Sequence, residues 1–75
     1  MERINEVQRY RFIYRTGMGE LIDVRAGCRP GDAERRAKTT AREVARRLKE
    51  TEVICIWMGP EGKELPRQLI EEARA

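Results

Sequence analysis

The 75 residues include 16 Lys/Arg, 13 Asp/Glu, 2 Cys and no His, for a net charge of +3. A single domain of this length buries only about 60% of its unfolded surface, so its core is thin. Two cysteines are too few for a disulfide framework, and a structural zinc site would lack His ligands. Without His, general acid–base chemistry would fall to carboxylates, Tyr or Lys, and no paired-carboxylate spacing stands out. A non-enzymatic domain with no cofactor or metal is therefore expected.

The N-terminus Met1-Glu2-Arg3-Ile4-Asn5-Glu6 is polar and does not read as a signal peptide or an anchor. The longest apolar run, Val53 to Met58, is far too short to span a membrane. With free cysteines, this points to a cytoplasmic protein with no membrane partner. From Arg3 to Lys49 there are 13 Lys/Arg against 6 Asp/Glu, a surplus of 7 positive charges. From Glu50 onward the balance turns acidic, 3 against 6. Such asymmetry favours an anionic partner for the first two thirds of the chain. Arg outnumbers Lys 13 to 3, and arginine suits planar contacts to phosphate or carboxylate.

Taken in chain order, Arg9-Tyr-Arg-Phe-Ile-Tyr-Arg15 alternates with period two and predicts a strand. Tyr10, Phe12 and Tyr14 share one face; Arg9, Arg11, Ile13 and Arg15 share the other. Glu20 to Arg25 predicts a second strand. A three-residue loop, Gly17 to Gly19, pairs Tyr14 with Ile22 and Phe12 with Val24, putting the apolar partners on one face. It also places Gly19 at the left-handed position such loops require. A two-residue loop would instead set Phe12 opposite Asp23. In the chosen register Arg11 faces Arg25, a repulsive pair unless an anion or carboxylate lies between them.

Ala26 to Gly31 reads as loop. Asp32 is a suitable N-cap, and Ala33 to Glu50, free of Gly and Pro, predicts a helix. Ala33, Ala37, Ala41, Val44, Ala45 and Leu48 form its apolar side. Val53 to Met58, apolar at every position, predicts a central strand covered on both faces. Gly59-Pro60-Glu61-Gly62 is a turn. Pro66 opens a last helix to about Arg74, with Leu65, Leu69, Ile70 and Ala73 apolar.

The expected fold is thus a single α+β domain over 1–75 of order ββαβα. Its three-stranded mixed sheet, the hairpin plus a central strand, is packed by the long helix. The order of the elements also matches a β-grasp-like (ubiquitin-like) domain, an analogy resting on order alone. Without a terminal Gly-Gly, a conjugating modifier is not expected. The second sheet face needs cover from the last helix or from a second copy of the chain.

Two regions could bind an anionic partner. Arg35, Lys38, Arg42, Arg46 and Lys49 fall within roughly 80° of helical arc, beside the apolar side, as a stripe able to track phosphates without reading bases. The hairpin adds Arg9, Arg11, Arg15 and Arg25. The same stripe can equally be a solvated face partly neutralised by Glu34, Glu43 and Glu50, and the hairpin arginines can be an exposed face whose stems cover Ile13. Tyr10, Phe12 and Tyr14 compare with the aromatic strands of RNA-binding sheets, but the thin core needs those rings. Cys28, near a helix start, has no His or neighbouring Cys to make it a nucleophile. Cys55 and Trp57 alternate onto one face of the strand and read as core; if the strand's second face is bare, Trp57 or the Ile54/Ile56/Met58 set becomes an interface anchor.

The leading expectation is sequence-tolerant binding of DNA or RNA through the helix stripe and the hairpin arginines. An acidic protein could satisfy the same charges. The rival expectation is a protein-interaction or homodimerising domain that uses residues 53–58 and the Leu65/Leu69/Ile70 helix.

Overall fold

The computed structural model describes residues 6–72; Ala73 and Arg74, the expected end of the last helix, and residues 1–5 lie outside the described residues. Strands β1 (Gln8–Thr16) and β2 (Leu21–Cys28) form the hairpin, helix α1 covers Ala33–Leu48, strand β3 covers Val53–Pro60 and helix α2 covers Arg67–Glu72. The class is α+β.

The hairpin register follows from parity. Tyr14 pairs with Ile22, Phe12 with Val24, Ile13 with Asp23 and Arg11 with Arg25. At the loop, the Thr16 amide donates to the Glu20 carbonyl at 2.9 Å and the Gly19 amide to the Thr16 carbonyl at 2.9 Å. Gly19 has φ +90°, a conformation that costs glycine little. The buried Thr16 hydroxyl accepts from the amides of Met18 at 3.3 Å and Glu20 at 3.2 Å. β2 runs on through Ala26, Gly27 and Cys28, which pair with Tyr10, Arg9 and Gln8. Those residues had read as loop because Gly27 and Pro30 mask the pattern; the ladder to β1 overrides local propensity.

The sheet order is β2-β1-β3, and β3 pairs antiparallel with β1. The sheet is therefore antiparallel throughout rather than mixed, and β1, not β3, is central. β1 earns that place physically: Phe12, Ile13 and Tyr14 are at most 2% exposed. Continuous apolarity in β3 marks an edge strand with bare apolar side chains, since Ile54 is 48% and Met58 41% exposed. The pairing also slips by one residue. Ile13 opposes Trp57 while Tyr14 opposes Cys55, leaving Ile56 as the extra residue of a β-bulge. The bulge moves Trp57 off the face of Cys55 and onto the opposite one, beside Ile13.

Helix α1 covers the Tyr10/Phe12/Tyr14 face. Phe12, Tyr14, Cys28, Ala33 and Ala37 form the core, with Tyr10, Ile22, Val24, Ala26, Ala41, Val53 and Cys55 packed against it. Full burial of a ring such as Phe12 contributes about 2 kcal/mol. The small residues Ala33 and Ala37 let the helix approach closely enough for the Tyr14 hydroxyl to donate to the Ala37 carbonyl at 2.8 Å. Tyr10 and Phe12 stack with ring centroids 6.1 Å apart.

The helix begins differently from expectation. Pro30–Asp32 forms a 3-10 turn, in which the Ala33 amide donates to the Pro30 carbonyl, and the Asp32 carboxylate makes no capping bond. Its end is a Schellman arrangement: the Glu50 amide reaches the Ala45 carbonyl at 2.9 Å, and Lys49 is left-handed at φ 57°. Among the described residues α2 packs extensively on no other element.

Candidate nucleic-acid interface

The register of α1 is set by what it buries. Ala33, Ala37 and Thr40 are the buried positions, while Ala41, Val44 and Ala45 are half-buried and Leu48 is 42% exposed. Thr40, a polar residue left out of the apolar reading, turns the buried side away from Ala45. At 100° per residue, this sets Arg35, Arg42 and Arg46 roughly opposite the buried side, with Lys38 on the flank toward β3, where Lys38 and Arg42 line a groove. All four are exposed. Lys49 follows the last helical turn with a left-handed backbone and leaves the stripe's geometry.

The stripe is not internally neutralised. Among the described residues, no ion pair joins Arg35, Lys38, Arg42, Arg46 or Lys49 to a carboxylate, and Glu34, Glu43 and Glu50 make none with them. The i,i+4 pairs expected along the helix are not formed. Four exposed cations along about three turns of one helix make a positive field along its outer side.

The hairpin arginines behave in the opposite way. Asp23 lies between Arg11 and Arg25: its Oδ2 accepts from Arg11 Nε at 2.8 Å, lies 2.6 Å from Arg11 Nη2, and lies 3.9 Å from Arg25 Nη2. The Asp23 hydrogen bond raises the Arg11 pKa; burial opposes it, and the charges of Asp23 and Glu61 add smaller upward pushes. Glu61 joins from the other side, 3.4 Å from Arg9 and 3.9 Å from Arg25. Arg15 is likewise engaged. The carboxylate that an Arg11–Arg25 pair needs is thus supplied by the chain itself. Because β1 alternates, Arg9, Arg11, Arg15 and Arg25 share the Ile13 face, away from α1. The sequence-predicted site residues therefore divide into two sets on opposite sides of the sheet, which cannot grip one phosphate backbone together.

Glu61 was invisible as a counter-ion because only the β3–β1 pairing brings it there: its amide donates to the Arg9 carbonyl at 2.9 Å. The Asp23 contact was legible, since the register sets Asp23 diagonally across from Arg11.

The cysteines are packing residues. Burial pushes the Cys28 thiol up, and the opposing pull of Arg36 is weaker. Burial also pushes Cys55 up, and its thiol donates to the Trp57 carbonyl at 3.5 Å. An activated thiolate needs the reverse shift. Tyr14 is pushed up to about 12, chiefly by burial and secondarily by Cys55. Among the described residues no cluster of Cys, Asp or Glu could hold a metal ion, and no helix is long and apolar enough to cross a membrane.

A groove of about 670 Å³ runs between α1 and β3, lined by Glu34, Lys38 and Arg42 on the helix and by Val53 to Met58 on the strand. The chain matches no protein-family description, no curated protein and no solved structure.

Proposed function

We propose that this domain is a non-enzymatic, cytoplasmic binding module that holds nucleic acid on the outer crest of α1 without reading its sequence. What supports the reading is one observation: among the described residues Arg35, Lys38, Arg42 and Arg46 are exposed along one side of the helix and make no ion pair with a carboxylate, while Arg9, Arg11 and Arg25 of the sheet are paired with Asp23 and Glu61. Cations held in ion pairs release few counterions on binding; free ones release the most. The hairpin arginines leave the interface.

The test is a salt-series binding measurement with mixed DNA and RNA. Four phosphate contacts give a slope of log K against log salt of roughly −3 to −4. Arg35→Glu with Arg46→Glu should abolish retention while circular dichroism stays unchanged. No binding by the unaltered protein at low salt removes the reading, and capture by an acidic polypeptide but not by DNA or RNA transfers it to an acidic protein partner.

A second reading, self-association, is supported by a separate observation. Among the described residues β3 has a strand partner on one edge only, and Ile54, Met58 and the α2 residue Ile70 are exposed.

A further inference from the structure

The two free edges of the sheet differ in kind. β2 presents Asp23, Arg25 and Gly27 at its exposed positions; β3 presents Ile54, Met58 and Pro60. Charge at an edge discourages another strand from pairing. β2 is guarded in this way, whereas β3 has no charged residue from Val53 to Pro60. Resting on the self-association reading, we infer that β3 pairs antiparallel with β3 of a second copy, making one six-stranded sheet with both α1 helices on the same side.

Face parity and side-chain contact together set the register. The pairing with β1 puts Val53, Cys55 and Met58 on the helix side and Ile54 and Trp57 on the other, with the bulge residue Ile56 between. Residues directly opposite in a ladder share a face. Two two-fold arrangements satisfy this, and they differ in whether Ile54 meets Gly59, which has no side chain, or Trp57; the one that gives Ile54 a side chain to pack on sets Val53 against the partner's Met58, Ile54 against the partner's Trp57, and Cys55 against the partner's Ile56. Ile54 and Met58, exposed in the single chain, then gain the partner's Trp57 and the partner's Val53 as apolar neighbours. A register one residue away would oppose Ile54 to the partner's Met58, on different faces.

Charge complementarity points to the same occupant. The helix flank of the groove carries Glu34, Lys38 and Arg42, one turn apart. Two such flanks running antiparallel across a two-fold axis at the level of Lys38 bring Glu34 of each copy toward the partner's Arg42, two opposite-charge contacts against the single like-charge contact of Lys38 with the partner's Lys38. An isologous contact has to be self-complementary in this way. Arg35 and Arg46, on the outer side of the crest, stay free in both copies. The pair therefore keeps four of these cations, Arg35 and Arg46 of each copy, on one side of the continuous sheet.

Sedimentation velocity on the whole chain over a wide concentration range tests this. The expected result is twice the single-chain mass, with Ile54→Lys and Met58→Lys each returning the single-chain mass and an unchanged circular dichroism spectrum. Arg42→Glu should weaken the dimer at least tenfold, and Glu34→Arg in the same chain should restore it. Single-chain mass at every concentration overturns both the pairing and the self-association reading. A dimer indifferent to Ile54→Lys and Met58→Lys keeps self-association but overturns this pairing. Should those variants unfold, hydrogen exchange on the unaltered protein decides: amide protection over residues 54–58 that rises with concentration supports the pairing, and protection independent of concentration overturns it.

Discussion

The Tyr14 hydroxyl donates to the carbonyl of Ala37 at 2.8 Å, bolting the central strand to the helix through the middle of the core. Burial raises the Tyr14 pKa to about 12 from the roughly 10 of an unfolded tyrosine. The fold favours the neutral phenol, so its contribution is complete below pH 10 and is lost as pH climbs toward 12. Urea melts through the alkaline range should show stability falling over that interval. Tyr14→Phe should cost about 1 kcal/mol at neutral pH and flatten the alkaline loss.

Gly59 has no room for a side chain. A Cβ there would come within 2.8 and 2.9 Å of the Trp57 ring, which lies over it on the same face of β3. Gly59→Ala should lift the indole outward, read as a red shift in tryptophan emission, with a stability loss of about 1 kcal/mol. Pairing the change with Trp57→Leu should recover most of that loss.

Lys49 ends α1 in a left-handed conformation, φ 57°, where a β-carbon costs about 1 kcal/mol. Lys49→Gly should raise the thermal midpoint by a few degrees. The strand and helix signals in circular dichroism should not change.

Arg11→Gln separates the two basic sets. It leaves Asp23 with only the longer contact to Arg25 at 3.9 Å, so stability should fall by about 0.5–1 kcal/mol. Nucleic-acid affinity should change by less than about twofold, because this arginine is already neutralised and faces away from α1. A binding loss as large as that of the Arg35/Arg46 double variant would move the interface to the sheet.

What could be read in advance, and what could not, follows the range of the interactions. The hairpin register was legible because one loop length alone aligns Tyr14 with Ile22 and Phe12 with Val24; that information is local. The helix was legible from an uninterrupted run free of Gly and Pro. The place of β3 was not: an all-apolar run looks alike whether it is sandwiched or left bare at an edge. The bulge at Ile56 depends on how β3 meets β1 and leaves no local mark, so Trp57 was set on the wrong face. Thr40 was missed because hydropathy discounts a hydroxyl that lies buried beside Tyr14. The stripe was recognisable by spacing, but its separation from the hairpin arginines needed the knowledge of which sheet face α1 covers.

The strand that emerges first after the N-terminus occupies the middle of the sheet, and its second neighbour is made only after α1. Until then β1 and β2 are an isolated two-stranded ribbon, which is marginal in water, with Phe12 and Tyr14 only half sheltered. A nascent chain stopped short of Pro60 therefore leaves one edge of β1 as a naked ladder, open to any passing chaperone or sister chain.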